Sequence, residues 1–242
     1  MTVRKKTSWL VAMLCLLIFT GCSRKNQIEP EAVGPLFVDN FIYDKDKELF
    51  VEQFVDGDML EKHLTVMMNE VQYHFSSVFD TVVEDISVEE KMDLSHQLME
   101  NIHSKTTYDV DTTTNEKGNE IDVNYHIHGL DYGEVVHQTM LGIVEAILNE
   151  DIIEPSGEAS KEFIIKAFYE ALKQTPVSDS TVEVSLVFEK IKGQWQLAAN
   201  QDDKISELLF AFMTGTKDRA EYEEEMANMI DRVTTEATDK LK

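Results

Sequence analysis

The stretch VEVSLVFEKIKGQWQLA, residues 182–198, decides the fold of this chain. Apolar and polar side chains alternate through its first half, which is the period of a strand with one buried face. Lys192 and Gly193 then supply a turn, and Trp195 and Leu197 continue the alternation on a return strand. The stretch therefore predicts an antiparallel hairpin with one apolar face.

A second hairpin is predicted upstream of the first. Residues 121–128, IDVNYHIH, show the same alternation, and Tyr108 and Val110 alternate with aspartates before a polar turn at residues 115–119. The two hairpins together supply about four antiparallel strands.

Helical periodicity fills most of the remaining chain. Apolar residues between positions 60 and 82 recur at steps of three and four, the spacing of one helical face. Ser87 followed by Glu90 has the spacing of a capping box and predicts the start of another helix. Helices are predicted within residues 35–54 (two short ones), 60–82, 87–102, 131–147, 163–171, 204–212 and 216–241.

Strands that come in antiparallel pairs separated by helices predict an α+β fold. A sheet with one apolar face needs helices to cover that face. We therefore expect a helical N-terminal half packed on a curved antiparallel sheet of about four strands, followed by a C-terminal amphipathic helix.

The N-terminus has the pattern of a secretory signal. Basic residues 4–6 precede an uncharged apolar run at residues 9–19, which is too short to span a bilayer as a helix. The run ends in FTGC, residues 19–22, which resembles the lipobox of bacterial lipoproteins, with Phe19 where Leu is usual. That resemblance implies diacylglyceryl transfer to Cys22, cleavage before it, and a lipid anchor at the extracytoplasmic face of the cell membrane.

These patterns divide the chain into four predicted segments. They are a lipoprotein signal peptide at residues 1–22, a tether at residues 23–35, an α+β domain at residues 36–213 and an acidic amphipathic helical tail at residues 214–242.

Composition narrows the function classes. The 22 basic and 46 acidic residues give a net charge of −24, which argues against nucleic acid as a partner. Cleavage would leave 19 basic residues against 46 acidic ones, a charge of −27. Both cysteines, Cys15 and Cys22, lie in the first 22 residues, so we expect no disulfide, thiol nucleophile or cysteine-based zinc site in the fold.

The lipobox, the long helical first half, the strand ending in YHIHGLD and the closing hairpin together resemble the lipoprotein domains of Gram-positive bacteria classed as domain of unknown function 5105. The resemblance covers roughly residues 36–213. The closing hairpin is also similar to the last strands of the cystatin-like roll shared by nuclear-transport-factor-like and SnoaL-like domains. These resemblances imply a location and a fold, and they bring no catalytic residues.

Histidines are the candidate metal ligands. His126 and His128 share one face of a predicted strand with Asp122, and a His-x-His pair with a carboxylate is able to bind a divalent cation. That face lies opposite the apolar residues, so these side chains are expected to be solvated. We expect no cofactor and no resident metal. The sequence contains no P-loop, G-x-S-x-G, H-E-x-x-H or dinucleotide fingerprint.

Aromatic residues are the candidate ligand contacts. These residues either line a pocket between the helices and the sheet or pack in a filled core, and the sequence does not decide between the two. The candidates are Phe37, Phe41, Tyr125, Phe163, Phe188 and Trp195.

The favoured function is therefore a lipid-anchored cell-surface domain, without enzymatic activity, that binds an unidentified protein or small-molecule ligand. The alternative is a SnoaL-like pocket enzyme or a divalent-metal site that uses His126 and His128.

Overall fold

The computed structural model describes residues 27–78, 86–148 and 158–240. The predicted signal peptide and Cys22 lie outside these residues. In chain order the elements are α1 Pro30–Phe41, α2 Lys47–Gln53, α3 Gly57–Val78, α4 Val88–Lys105, β1 Thr107–Thr114, β2 Glu120–His128, α5 Tyr132–Leu148, α6 Glu158–Gln174, β3 Val182–Ile191, β4 Gln194–Leu197, α7 Asp202–Thr214 and α8 Arg219–Lys240. The fold is α+β, as predicted.

The four strands form one antiparallel sheet in the order β1-β2-β3-β4. Tyr125 of β2 lies opposite Val184 of β3, and Phe188 lies opposite Leu197 of β4. The apolar side chains of both predicted hairpins therefore share one face. The inner residues of β2 and β3 are buried on that face, and their polar neighbours alternate to the other.

Helix α1 lies directly against the apolar face. A Cβ on Gly34 would lie 2.5 Å from the Val123 side chain, so only glycine permits this approach of helix to sheet. The Tyr125 hydroxyl donates a hydrogen bond to the Gly34 carbonyl at 3.1 Å. These contacts fix the first helix over the second strand.

Helix α1 begins at Pro30, inside the segment 23–35 predicted to be a tether. Proline has no backbone N–H, but in the first turn of a helix that N–H would have no hydrogen-bond partner within the helix. Pro30 is therefore well suited to begin this helix, and it does not mark the end of a linker. Val33 is fully buried, and the backbone N–H of Ile28 donates to the side chain of Gln53. The packed domain therefore extends back to about residue 28.

The predicted capping box starts helix α4. The Ser87 hydroxyl accepts a hydrogen bond from the Glu90 N–H, and the Glu90 carboxylate accepts one from the Ser87 N–H at 2.7 Å. The latter bond, with further help from the Ser87 hydroxyl and Lys161, lowers the pKa of Glu90 to about 2.

Among the helices of the described residues, none has both the length and the apolar content that crossing a membrane requires.

A close contact joins the end of β2 to helix α7. A Cβ on Gly129 would lie 1.9 Å from the carbonyl oxygen of Ala211 and 2.9 Å from the backbone nitrogen of Gly215. The N–H of Leu130 donates to the Phe212 carbonyl at 2.9 Å in the same place. The sheet end and the last turn of α7 are thus fixed to each other through a glycine.

This contact gives a prediction with a matched control. Gly129→Ala should lower the free energy of unfolding by about 1–3 kcal/mol, because the new methyl group meets backbone that must move. Gly142→Ala in α5 should raise it by about 0.5–1 kcal/mol, because its Cβ would lie 3.6 Å from the Ala167 Cβ and alanine favours a helix. Urea denaturation of both variants measures the two changes; equal effects of the same sign would contradict this packing.

Candidate functional site

Three of the six aromatic residues predicted to line a pocket meet in a filled core. The ring of Phe37 lies 6.0 Å from that of Phe41 and 5.4 Å from that of Phe188, between ring centroids. Phe50 and Phe54, each 6.2 Å from Phe37, close the cluster. These five side chains are almost completely buried and make tilted and edge-on contacts, which stabilise aromatic pairs.

The other three predicted pocket residues occupy separate places. Tyr125 and Trp195 are buried at the inner face of the sheet. The carbonyl of Trp195 accepts a hydrogen bond from the Val55 N–H at 2.8 Å, which connects β4 to the turn after α2. Phe163 lies half-buried on α6. Packing of the sheet thus accounts for Tyr125 and Trp195.

The histidine pair lies on the outer face of the sheet, as predicted. The His126 Nε2 lies 3.0 Å from Asp111 of β1, and its Nδ1 lies 3.4 Å from Glu183 of β3. Asp122 is instead opposite Thr113 and Val187 in the register, away from His126. His128 faces Thr181, with 3.4 Å between Nε2 and the hydroxyl. In the described part of the chain, no three His, Cys, Asp or Glu side chains are grouped so as to hold a metal ion.

An apolar cavity of about 660 Å³ lies instead between four helices, α3, α5, α7 and α8. This volume is typical of sites that bind small molecules. Nine of the lining residues are apolar or aromatic: Met67, Val71, Tyr132, Val136, Leu209, Phe210, Met213, Tyr222 and Met226. The polar lining residues are Glu70, Ser206, Thr214 and Arg219.

Helix α7 forms the floor of the cavity because it is apolar on two sides. Leu208 and Phe212 are fully buried and belong to the core of the sheet. Leu209, Phe210 and Met213 are rotated away from that side and line the cavity. A helix that is apolar on two sides must be covered twice, and the second cover comes from α8.

Helix α8, the predicted amphipathic tail, packs on α5 and forms one wall of the cavity. Its Met229 and Val233 are buried, and the Met229 methyl lies close to Gly133. His137 of α5 lies between two carboxylates, with Nδ1 3.2 Å from Glu134 and Nε2 3.8 Å from Glu236 of α8. The tail is therefore docked on the domain.

Aromatic contacts organise the mouth of the cavity. The Arg219 guanidinium lies 5.5 Å above the ring of Phe210, and the ring of Tyr222 meets Phe210 edge-on with 5.4 Å between centroids. Burial raises the pKa of Tyr132 well above the usual value, and the nearby Tyr222 raises it further.

A second cavity, also of about 660 Å³, adjoins the first and is polar. Ser206, Phe210 and Arg219 line both cavities. The Phe210–Arg219 pair therefore stands at the border between an apolar compartment and a polar one. This arrangement suits the binding of a molecule that has an apolar part and a polar part.

Part of this site was visible in the sequence. The spacing of Tyr222 and Met226 predicted one apolar face of the tail helix. The other lining residues were missed, although Leu208, Leu209, Phe210 and Phe212 crowd too many apolar residues into α7 for a single face. This excess of apolar residues is the sequence feature that could have indicated a second buried side of α7.

The described structure is thus an α+β domain in which helices cover one face of a four-stranded antiparallel sheet. An apolar cavity lies between helices, behind the covering helix α7. The chain belongs to the family described as Domain of unknown function (DUF5105), whose profile matches residues 22–213. The resemblance predicted for residues 36–213 is thus confirmed. The match begins at Cys22 and ends before α8.

Among solved structures, the chain is similar to YcdA of Bacillus subtilis, a candidate lipoprotein, with a TM-score of 0.56 and 16% sequence identity. The similarity covers 76% of this chain and 55% of that chain, so this chain spans about half the length of its structural neighbour. At this identity the likeness shows the fold alone. No curated protein matches the chain.

The difference between filled core and cavity can be measured. Phe37→Ala should lower the free energy of unfolding by about 3–5 kcal/mol, because it removes a buried ring from a packed cluster. Phe210→Ala should cost clearly less, since that ring is only half-buried and already borders a cavity. Chemical denaturation gives both values. Similar small costs would mean that Phe37 also lines empty space.

Proposed function

We propose that the protein is a lipid-anchored lipoprotein of the extracytoplasmic membrane face that binds an apolar ligand without transforming it. Residues 1–22 are the signal peptide in this proposal, Cys22 carries the diacylglyceryl anchor, and residues 23–27 remain as the tether. The folded domain then runs to residue 213, and the tail that follows completes the binding cavity. The observation that carries the binding function is the apolar cavity between α3, α5, α7 and α8.

The chemistry of the cavity favours binding over catalysis. Apolar and aromatic side chains form most of its lining, and a few polar groups gather at one side, which is the usual composition of a small-molecule site. Its described titratable groups are a glutamate, an arginine and two tyrosines. The raised pKa of Tyr132 makes its hydroxyl a weak acid, poorly suited to proton transfer near neutral pH.

The position of the cavity favours a ligand from outside the membrane. The Gln27 side chain lies against Gly193, at the β3–β4 turn, so the tether leaves the domain at this end. At the opposite end of β3, the Lys217 ammonium donates to the Glu183 carbonyl at 2.8 Å, where Lys217 lines the polar cavity that adjoins the apolar one. The ten residues of β3 separate these two ends by roughly 30 Å.

Charge supports the same orientation. A domain with a net charge of −27 after cleavage is repelled by anionic lipid headgroups. It would therefore stand away from the bilayer on its tether, with the mouth of the cavity accessible.

The anchor is tested by the two cysteines. Cys22→Ala should release the protein from the membrane fraction, because the thiol that receives the lipid is gone. Cys15→Ala is the matched control and should leave the protein membrane-bound, since it lies inside the apolar run. Fractionation with immunoblotting measures both. Complete retention of the Cys22→Ala protein in the membrane would exclude the lipid anchor at this residue.

The binding cavity is tested by filling it. The protein in phosphatidylcholine nanodiscs should bind a neutral fluorescent apolar probe, such as N-phenyl-1-naphthylamine, above the background of empty nanodiscs. Val136→Trp, which places a large ring in the cavity, should weaken this binding at least tenfold. Val66→Trp puts the same ring on the outer side of α3, where Val66 is 53% exposed, and should leave binding unchanged. Equal binding by both variants would contradict the site.

A further inference from the structure

We propose, building on the binding function above, that the ligand is a single-chain amphiphile with one anionic head group. Its hydrocarbon chain lies in the apolar cavity and its head group pairs with Arg219. The apolar cavity for the chain and the polar cavity for the head group adjoin each other at Phe210 and Arg219.

The apolar compartment matches a flexible hydrocarbon chain. Methionines from three helices, Met67, Met213 and Met226, line it. Methionine is unbranched and polarizable, so it adapts to a chain that has no fixed shape. The free energy gained by burying such a chain grows with each methylene group, so a medium-length chain is sufficient for measurable affinity.

The guanidinium of Arg219 is available to a ligand. Among the described residues, its recorded contact is the face of Phe210, at 5.5 Å, and no described carboxylate forms an ion pair with it. The ring of Phe210 lies against the guanidinium plane, and within the described part of the chain the N–H donors of Arg219 form no hydrogen bond. A guanidinium binds a carboxylate or phosphate through two parallel hydrogen bonds, a geometry that favours an anionic head.

The polar cavity holds other charged groups beside Arg219, namely the carboxylates of Asp203, Glu207 and Asp218 and the ammonium groups of Lys204 and Lys217. Lys204 forms an ion pair with Glu207 at 2.6 Å, and the Lys217 ammonium donates to the Glu183 carbonyl. Glu70, the acidic residue of the apolar lining, is exposed on α3. Among these described charged residues, Arg219 is the one that lines both the apolar and the polar cavity, so it is placed to choose the head group.

The acidity of the whole protein does not oppose this choice. At physiological ionic strength the screening length is about 8 Å, so most of the exposed carboxylates act weakly on a group at the cavity. Arg219 is itself exposed, so its pairing with a head group depends on direct bidentate hydrogen bonds at short range.

The test compares three amphiphiles of equal chain length: decanoate, decanol and decylammonium. The protein carries methyl-labelled methionine and is held in phosphatidylcholine nanodiscs, and methyl resonances of the cavity methionines report occupancy against the free concentration of each ligand. We expect decanoate to bind about tenfold more tightly than decanol, and decylammonium to bind most weakly. Arg219→Gln should reduce the affinity for decanoate to that for decanol and leave decanol binding unchanged.

Two further variants separate charge from folding. Arg219→Lys should keep most of the preference for decanoate, and Arg232→Gln, an exposed change on the same helix, should have no effect. Equal affinities for decanoate and decanol, or a preference for decylammonium, would overturn the head-group assignment while the apolar cavity stands. If none of the three ligands perturbs the cavity methionines, the proposed binding function itself fails.

Discussion

The hydrogen bond from the Tyr125 hydroxyl to the Gly34 carbonyl, 3.1 Å long, lies beneath helix α1 at the centre of the apolar sheet face. It is possible because the sheet is apolar on one side only and a helix backbone approaches that side without an intervening Cβ. The remaining architecture follows from covering this face. Helix α1 and the phenylalanines around Phe37 cover one part of it, and α7 covers the part over β2 and β3.

The cavity arises one layer further out, from the two apolar sides of α7. The side with Leu208 and Phe212 packs on the sheet with the density of a normal core, because strand and helix are held together by backbone contacts at Gly129. The side of α7 with Phe210 and Met213 faces the cavity, whose other walls are α3, α5 and α8. Helix α8 reaches α5 through Met229 and Val233, and this contact leaves space between α8 and α7.

The strands, the capping box at Ser87 and the α+β class were predictable from the sequence because each depends on local spacing. The position and the lining of the apolar cavity were not predictable in this way. The alternation around Tyr125 and Phe188 indicates which face of the sheet is buried. It does not tell whether the space between that face and the helices is a cavity or a packed core, and the structure shows a packed core. Helix α5 shows the same limit: its periodicity predicts a helix but not that Val136 lines the cavity, which follows from the packing of α5 on both α6 and α8.

A ligand in this cavity would contact α7 and α8 at once, through Phe210 on one side and Tyr222 and Met226 on the other. Its binding free energy would therefore be shared between holding the ligand and holding the tail on the domain. Met229 and Val233 are the described buried residues through which the tail docks, so a ligand that contacts Tyr222 and Met226 would add to this docking. The family profile ends at residue 213 and does not include α8. The tail wall, with Arg219 at its first turn, thus lies outside the matched family domain, whereas the walls from α3, α5 and α7 lie inside it.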